Sequence, residues 1–505
     1  MTFCVDKRFF TIFSSSVHFV GIGGAGMSGI AKVLVESNVT VTGSDIGNGK
    51  FVQQLKALGV RVFSQHDASN VEHASCVVFS SAISKDNPEI VYARKMDIPV
   101  LHRSEILSLI ARLNFCFAVS GSHGKTITTT ILAQALEYSG ISPTVINGGV
   151  MMSGNTNAYI GKDNVCVVEG DESDGSFLKL KPDIAIITNI DKDHLSNYDG
   201  SFYNIQKAFF QFMSNIPKYG FVVACGDDMC TRSLINMSLE NNNMVISYGI
   251  KSSDLDVKAI NIRYNDGSTT FDVAISQGSK YVNFSPEEFA RSYVKSHSQS
   301  RNMHNLEVTS DSGCYVIKDI SFNAFGDFNV LNCLAVLSVF LGLRIPFDKN
   351  VFQKYAGVAR RCNIVGNYQG SLVIDDYAHH PTEIAAVLRA IKSGLDVDRV
   401  IVVIEPHRKT RLKALLNDFV DVLSGVSAVY VTSVFDAWEE VDEDITSMHL
   451  VDKLDNCKYV QSVAQLKKEL DMNFAEIPHS VSRSSIVFMG AGNSSSWAHS
   501  LVDLS

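Results

Sequence analysis

The sequence predicts an α/β protein with three domains, each built around an open, mostly parallel sheet. Three observations support this prediction. Short β-branched runs alternate with helical patterns along most of the chain, which is typical of doubly wound sheets. Two of these runs pass directly into a glycine turn and a helix, within residues 17–35 and 115–135. The length of 505 residues is also too great for one hydrophobic core.

The composition is that of an ordinary globular protein, with 46% apolar and 19% charged residues. A formal charge of −9 gives no broadly basic surface, so we expect no nucleic-acid partner. The ten cysteines contain no C-x-x-C pair, which excludes the common zinc signatures and argues against a disulfide framework. A reducing cytoplasm is therefore the expected location.

Membrane segments are not predicted. No stretch approaches the ~20 apolar residues that span a bilayer, so we expect no membrane partner. The longest candidate, Val330–Leu343, is predicted to be a buried helix. The apolar patch Phe9–Phe13 is too short for the core of a signal peptide.

The first glycine turn follows the predicted strand Val17–Val20 and reads Gly21-Ile22-Gly23-Gly24-Ala25-Gly26. Asp45 ends the next strand, 19 positions after the last glycine. This layout is typical of dinucleotide binding, but such a turn presents N–H groups and a helix dipole to any pyrophosphate. NAD and a UDP-linked substrate therefore both fit. The candidate binding residues are Gly23, Gly24, Ala25, Gly26, Met27, Ser28, Asp45, Ser80 and Arg103.

The second glycine turn joins the apolar strand Phe115–Val119 to a helix and contains Gly121, Gly124, Lys125 and Thr126. A strand, a glycine turn and a helix that opens with Lys and Thr is how polyphosphates are held. Lys125 would place a cation on the terminal phosphates, and the Thr126 hydroxyl would help to hold Mg²⁺. The sequence thus predicts an ATP site here.

Acidic side chains follow two further predicted strands of the same region. One strand ends at Glu169, and another leads to Asp191-Lys192-Asp193-His194. Because ligands of open α/β sheets bind at the carboxyl ends of strands, a Mg²⁺ site is expected beside the ATP turn. The candidate ligands are Thr126, Glu169 and His194, although His is an unusual Mg²⁺ ligand.

The last third of the chain has titratable and cationic groups at its strand exits. The strand at 372–374 runs into a segment with His379 and His380, and the strand at 400–404 runs into one with Arg408 and Arg411. Four such groups at one edge would suit anionic substrate groups and a phosphoryl centre. The alternative for the two histidines is a role in capping and packing the following helix.

These motifs together resemble the Mur ligase family over nearly the whole chain. The resemblance is carried by VHFVGIGGAGMSGIA, GSHGKTITTT, EGDESDGSF, TNIDKDH, GVARR, DDYAHHPTEI and EPHRKTR. It implies an N-terminal Rossmann-like domain over residues 1–114, a central P-loop ATPase-like domain over 115–357 and a C-terminal Rossmann-like domain over 358–505. Several positions depart from the family pattern: Phe328 stands where His is usual, Ile127 where Thr is usual and Asn493 where Asp is usual, and the run 435–439 replaces a Tyr-Pro-Ala-Gly-Glu-like segment.

The resemblance also implies site residues. Lys125, His379, Arg408 and Arg411 would be catalytic. The ATP site would consist of Gly121, Ser122, His123, Gly124, Lys125, Thr126, Thr128, Asn329, Asn332, Arg361 and Asp376.

The implied reaction is ATP-dependent ligation of L-alanine to the lactyl carboxylate of UDP-N-acetylmuramate, through an acyl phosphate and with Mg²⁺, in peptidoglycan synthesis. The nearest alternative is a recycling ligase of the same family that attaches a whole peptide. A NAD-dependent oxidoreductase would use the first turn but leave the ATP turn idle, and a non-catalytic nucleotide-gated protein would lack the chemical groups. We expect a monomer or a homodimer.

Overall fold

The computed structural model has an α/β architecture with three sheets in its described part, which confirms the predicted fold class. The residue ranges that it describes are 16–241, 243–276, 309–311, 314–345, 347–436, 445–475 and 483–503. The apolar patch Phe9–Phe13 lies outside these ranges. No helix within them is long and apolar enough to cross a membrane.

The first sheet is parallel and has the strand order β3-β2-β1-β4-β5 in the described residues. The order reverses between β1 and β4, and ligands of such sheets bind at this reversal, outside the carboxyl ends of the strands. The strands are β1 (Ser16–Val20), β2 (Thr40–Ser44), β3 (Arg61–Phe63), β4 (Ala74–Phe79) and β5 (Val100–His102). The helices are α1 (Ala25–Glu36), α2 (Lys50–Ala57), α3 (Pro88–Lys95) and α4 (Arg103–Arg112).

The second sheet begins with β6 (Phe115–Ser120), which lies between two parallel neighbours in the middle of the sheet. The predicted ATP turn therefore leaves a strand that is buried from Cys116 to Ser120. The other strands are β7 (Thr144–Met151), β8 (Thr156–Tyr159), β9 (Val165–Glu169), β10 (Ile184–Ile187), β11 (Phe221–Cys225), β12 (Val245–Gly249), β13 (Val257–Asn265), β14 (Ser268–Ser276), β15 (Thr309–Asp311) and β16 (Cys314–Phe322). Their order is β15-β16-β14-β13-β12-β11-β10-β6-β9-β7-β8.

Four α-helices accompany these strands in the described residues: α5 (Lys125–Tyr138), α6 (Phe202–Ser214), α7 (Met229–Glu240) and α8 (Asp327–Leu343). Helix α8 is apolar on all sides, and nearly all of its residues from Asn329 to Leu341 are buried. A helix of this kind belongs inside a protein, as predicted for Val330–Leu343.

The third sheet has the order β17-β18-β22-β19-β20-β21, and only β17 runs antiparallel among its described strands. The strands are β17 (Asn363–Tyr368), β18 (Ser371–Asp376), β19 (Arg399–Ile404), β20 (Ala428–Val431), β21 (Cys457–Tyr459) and β22 (Ser484–Met489). The helices are α9 (Pro381–Gly394), α10 (Lys409–Ala414), α11 (Leu416–Leu423), α12 (Met448–Val451), α13 (Val463–Ala475) and α14 (Ser494–Asp503).

The described residues form two compact units. Unit 1 comprises those of ranges 1–262, 271–321 and 329–356, and unit 2 those of 263–270, 322–328 and 357–505. The first two sheets share unit 1 because one hydrophobic core runs through both, from Val17 in β1 to Val245 in β12. The domain limits at residues 114 and 357 remain predictions.

Candidate active site

The first glycine turn is tied to the end of β2. The N–H groups of Gly21 and Ile22 both donate to the carbonyl oxygen of Ser44, at 2.8 and 3.0 Å. Asp45 accepts a hydrogen bond from the Gly23 N–H at 2.8 Å, so its carboxylate lies under the turn. A Cβ on Gly23 would lie 2.8 Å from that carboxylate, which explains the glycine. Asp45 therefore shapes the turn itself.

An anion can bind at the start of α1. The helix has no side-chain cap at Gly24, and its first N–H groups have no acceptor within the helix. Arg103 adds a cation, because its Nη1 lies 2.8 Å from the point that a Cβ on Gly26 would occupy. Ser80 is half-buried just after β4. An exposed glycine, a helix N-terminus and a guanidinium together suit a pyrophosphate.

The sequence prediction also included Met27 and Ser28, whose side chains are buried. The Ser28 hydroxyl donates to the Ala25 carbonyl oxygen at 3.0 Å, and it accepts a hydrogen bond from Asn157 Nδ2 at 3.1 Å. The two side chains pack inside the protein, and the first turn of α1 offers a ligand mainly its backbone.

A buried carboxylate that the sequence reasoning missed supports this region. Glu89 is fully buried and receives hydrogen bonds from Ser44 (2.7 Å) and Asn70 (2.7 Å), while His66 and His18 approach it at 2.8 and 3.3 Å. Burial alone would raise the pKa of Glu89, but these four partners lower it to about 2. The end of β2, which holds the glycine turn, is thereby bound to α3.

The second glycine turn is held by the strand next to it. Thr188 and Asn189, which follow β10, donate to the carbonyl oxygen of His123 at 2.5 and 3.0 Å. The N–H groups of Ser122 and His123 donate to the backbone and side-chain oxygens of Asn189, at 3.0 and 2.8 Å. These two N–H groups are thus occupied, and the first turn of α5 presents the remaining donors to a phosphate.

Two glycines of this turn are required by geometry. Gly121 has φ = +136° and Gly124 has φ = +83°, which is the left-handed region that side chains disfavour. A Cβ on Gly121 would lie 2.1 Å from the Thr188 hydroxyl, and one on Gly124 would lie 2.9 Å from Asn332 Oδ1. The turn therefore forms a glycine cradle, a concave backbone surface in which a side chain at either position would collide with its neighbours.

Lys125 is the first residue of α5, and its ammonium folds back over the turn. It donates to the carbonyl oxygens of Gly121 (2.7 Å) and Ser122 (3.2 Å), and it pairs with both carboxylate oxygens of Glu172 at 2.9 and 2.7 Å. Burial alone would lower the pKa of Lys125, but Glu172, Glu169 and Asp171 raise it above its usual value. Lys125 is therefore a charged ammonium at neutral pH.

Residues 169–174, which we call the acidic loop, begin at the last residue of β9 and lie beside Lys125. Glu169 accepts from the Gly148 N–H at 2.8 Å. Asp171 Oδ2 accepts from Arg103 at 2.5 Å, so the acidic loop also contacts the cation of the first turn. Burial raises the pKa of Asp171, but Arg103 and Lys125 outweigh it and bring that pKa down to about 2. Glu172, which the sequence prediction did not single out, is the buried acid of this loop.

The predicted Mg²⁺ ligands fit the ion in part. Thr126 and Glu169 supply a hydroxyl and a carboxylate, which are the oxygen ligands that Mg²⁺ prefers. Glu169 lies close enough to Lys125 to affect its pKa. His194 has a left-handed backbone at φ = +56°, and its ring lies 3.4 Å from Asp193. Thr126 and Glu169 therefore suit Mg²⁺ better than His194 does.

Two residues of the predicted ATP site, Asn329 and Asn332, are buried. Asn332 Oδ1 accepts from the Thr128 hydroxyl at 3.0 Å, which connects α8 to α5. Its Nδ2 is buried without a hydrogen-bond partner among the described residues. Asn329 is also buried, one turn earlier on α8. An unsatisfied amide donor beside the glycine cradle fits an acceptor atom of a bound nucleotide.

Unit 2 carries its own group of site residues at the exit of β18. Asp376 is buried and accepts from the N–H groups of Ala378 (2.7 Å) and Cys362 (2.8 Å). Burial raises the pKa of its carboxyl group. Arg361 and Arg360 both lie over the ring of Tyr377, at 5.2 and 5.0 Å from its centroid. Asp376 therefore holds the backbone that presents these two arginines.

The catalytic candidates of unit 2 surround a histidine that sequence reasoning did not single out. His407 lies 5.3 Å from the His379 ring and is stacked on Phe435 at 5.6 Å. Burial, followed by His379 and the nearby arginines, lowers its pKa to about 3. The neutral ring can accept from Arg411, whose Nη1 lies 3.3 Å from His407 Nδ1. Arg408 is exposed at the start of α10.

His379 and His380 make different contacts near the start of α9. His380 caps α9, since its ring accepts from the Thr382 N–H and Glu383 completes a capping box. His379 packs its ring edge against Tyr377 and lies 3.6 Å from Glu383.

Comparisons with known proteins cover most of the chain. Three family models match: Mur ligase family, catalytic domain (residues 16–114), Mur ligase middle domain (119–340) and Mur ligase, glutamate ligase domain (360–492). The chain belongs to the Mur ligase family.

Two relatives show how far the similarity of this Mur ligase extends. The chain is 38% identical over 492 residues to the UDP-N-acetylmuramate–L-alanine ligase of Rickettsia typhi, and the alignment covers 96% of this chain and 92% of that protein. The solved UDP-N-acetylmuramate–alanine ligase of Thermotoga maritima is 27% identical, with a TM-score of 0.73 over 97% of this chain and 98% of that chain.

A murein peptide ligase from Psychrobacter arcticus shares the fold with a TM-score of 0.64. It is 21% identical over 97% of this chain and 98% of that chain. At this identity the likeness concerns the fold alone.

Proposed function

We propose that this Mur ligase joins L-alanine to the lactyl carboxylate of UDP-N-acetylmuramate and converts ATP to ADP and phosphate in peptidoglycan synthesis. The observation that carries the proposal is the 38% identity to the Rickettsia typhi ligase across 96% of the chain. The geometry supports it, because unit 1 contains two glycine turns that each suit a phosphorylated ligand.

The chemistry explains why two such ligands are needed. A carboxylate does not condense with an amine in water, because oxide is a poor leaving group. In the proposed reaction, a carboxylate oxygen attacks the γ-phosphorus of ATP, the bond from that phosphorus to ADP breaks, and an acyl phosphate forms. The uncharged amine of L-alanine then attacks the acyl carbon and forms the C–N bond. The bond from the acyl carbon to the phosphate oxygen breaks, phosphate leaves with its electron pair, and the amine nitrogen loses a proton.

The second turn is proposed to bind ATP. The N–H groups at the start of α5 and the Lys125 ammonium would bind the terminal phosphates and stabilise charge on the transferred phosphoryl group. Asn332, through its buried Nδ2, and Asn329 would contact the base. Mg²⁺ would be held by Thr126 and Glu169, with His194 as the third candidate, and would neutralise charge on the phosphate oxygens.

The first turn is proposed to bind the UDP-linked substrate. Arg103 and the N-terminus of α1 would bind its pyrophosphate, with Ser80 at the same sheet edge. The family assignment removes the NAD-dependent oxidoreductase as an explanation of this turn.

Unit 2 is proposed to supply the other anion-binding groups. Arg408 and Arg411 would bind the carboxylate or phosphoryl group, and His379 would orient it. Arg361 and Asp376 are the nucleotide-binding candidates of this unit. Because His407 is uncharged at neutral pH, it would accept from Arg411 and direct that guanidinium rather than bind an anion itself.

The test measures phosphate release with ATP, Mg²⁺ and UDP-N-acetylmuramate while the amine is varied among L-alanine, glycine, L-serine and the tripeptide L-Ala–γ-D-Glu–diaminopimelate. We expect L-alanine to give the highest kcat/KM, with release dependent on all three substrates. Preference for the tripeptide would instead identify the recycling reaction. A reaction that consumes ATP agrees with the predicted cytoplasmic location, and the monomer or homodimer state remains a prediction.

A further inference from the structure

Lys125 has an ionic partner that the reaction described above does not use. Both carboxylate oxygens of Glu172 lie within 2.9 Å of the Lys125 ammonium. The two side chains are largely buried, with 14% of Lys125 and 7% of Glu172 exposed. The ammonium is thereby held over the backbone of its own turn, against the carbonyl oxygens of Gly121 and Ser122.

Glu172 is itself fixed in place. Its carbonyl oxygen accepts from the Gly175 N–H at 3.0 Å and from the hydroxyl of Tyr198, which lies in a separate 3₁₀ helix. The carboxylate therefore cannot follow Lys125 far without disturbing the acidic loop. Its environment also disfavours an unpaired charge, because burial raises the pKa of Glu172 to about 7 in spite of Lys125.

We propose that Glu172 is a positioning residue that holds Lys125 when no nucleotide is bound, and that polyphosphate binding exchanges the carboxylate for phosphate oxygens. The proposal rests on the proposed function only in taking Lys125 as a ligand of the terminal phosphates. The exchange leaves a buried carboxylate without its cation, and this weakens ATP binding relative to what the turn alone could reach.

The exchange is specific to the terminal phosphates. ATP requires Lys125 to leave Glu172, whereas AMP lacks the phosphates that the ammonium would reach. A change at Glu172 should therefore alter the affinity for ATP and leave the affinity for AMP unchanged. A merely structural role of Glu172 would affect both nucleotides alike.

The experiment measures Kd for Mg²⁺–ATP and for AMP by calorimetry on the full chain, without the other substrates. Glu172→Gln should tighten ATP binding roughly fivefold, because the exchange no longer breaks an ion pair. It should leave the Kd of AMP unchanged. Glu172→Asp, which keeps the carboxylate, should return the Kd of ATP towards the wild-type value. KM for ATP in the ligation assay should fall with Glu172→Gln, while kcat does not rise.

Two control variants separate the pair from general charge effects. Asp171→Asn removes another carboxylate of the acidic loop, one that binds Arg103 rather than Lys125. It should therefore tighten ATP binding less than half as much as Glu172→Gln does. Glu36→Gln removes a glutamate that pairs with Lys32 in the same unit, and it should leave the Kd of ATP unchanged.

If Asp171→Asn tightened ATP binding as much as Glu172→Gln, the proposal would be overturned. The effect would then come from the loss of any negative charge in the acidic loop and not from the pair with Lys125. An unchanged or weaker Kd of ATP with Glu172→Gln would overturn it as well. These measurements do not depend on the amine, so the proposal can stand if L-alanine proves to be the wrong substrate. If the wild-type chain did not bind ATP, both the proposed function and the proposed role of Glu172 would be refuted.

Discussion

The two glycine turns of unit 1 share one design, a parallel strand that passes through glycines into a helix, yet they are completed differently. In the first turn, a carboxylate lies under the backbone: Asp45 accepts from Gly23. In the second turn, a neutral amide takes that place: Asn189 accepts from His123. The first turn receives its cation from another helix through Arg103, whereas the second carries Lys125 within its own helix.

The difference matches two kinds of phosphate chemistry. A pyrophosphate that is only bound needs donors and one guanidinium, which suits bidentate contacts. A phosphoryl group that is transferred needs a cation and metal-binding oxygens, and Lys125 with Glu169 can supply both. The acidic loop contacts the two cations, since Asp171 binds Arg103 and Glu172 binds Lys125. The turns are thus electrostatically linked.

The largest expected effect comes from removing the cation of the second turn. Lys125→Ala should lower kcat for ATP-dependent phosphate release by roughly 10³-fold or more, because it removes charge stabilisation of the transferred phosphoryl group. Lys32→Ala is the matched control, since Lys32 pairs with Glu36 and Thr156 away from the turn. Full turnover of Lys125→Ala would show that the second turn does not bind the reacting ATP.

A smaller effect should follow removal of the cation of the first turn. Arg103→Ala should raise KM for UDP-N-acetylmuramate roughly tenfold, because the pyrophosphate loses a guanidinium. KM for ATP should change less. Arg112→Ala, at the exposed last turn of the same helix, should leave both KM values unchanged. If Arg103→Ala raised KM for ATP more than KM for the UDP substrate, the assignment of the two turns would be wrong.

A third expected effect concerns the stability of the folded protein and its dependence on pH. The pKa of Glu89 is lowered from 4.5 to about 2 in the folded protein. A lowered carboxyl pKa stabilises the fold above the unfolded value and loses this contribution as the pH falls from about 4.5 to 2, up to about 3 kcal/mol. Glu89→Gln should therefore lower the midpoint of thermal unfolding at pH 7.

The same variant should differ less from the wild type at pH 4, because part of the wild-type contribution is already lost there. Glu36→Gln controls for removal of a partly exposed glutamate and should change the midpoint little at either pH. A difference between Glu89→Gln and wild type that grows on acidification would contradict the assignment of Glu89 as a stabilising carboxylate.

Sequence patterns predicted the parts of the site whose chemistry is local. The acidic strand exit at Glu169 and the two glycine turns were predicted as candidate site elements, the turns because backbone geometry restricts a few consecutive positions to glycine or to small polar residues. The apolar helix α8 was likewise evident from composition. The partners that complete the site were not found in this way, because they are distant in sequence.

Glu172 and His407 illustrate the limit. Both stand in motifs that the sequence displays, EGDESD and EPHRKTR, but nothing local separates a buried carboxylate from the solvated acids beside it. Glu172 becomes buried beside Lys125, 47 residues away, and Tyr198 holds its backbone. His407 becomes uncharged because it is half-buried beside Phe435 and cationic groups of its unit.

The sequence by itself determined the α/β fold class, the family and the two turns that can receive phosphates, because glycine positions and strand–helix alternation are properties of short segments. Only the tertiary structure decided which charges meet: Asp45 with Gly23, Arg103 with Asp171, and Lys125 with Glu172. The physical reason is that burial and Coulomb interaction depend on distances in space, and packing brings together groups that lie 22 to 68 residues apart along the chain.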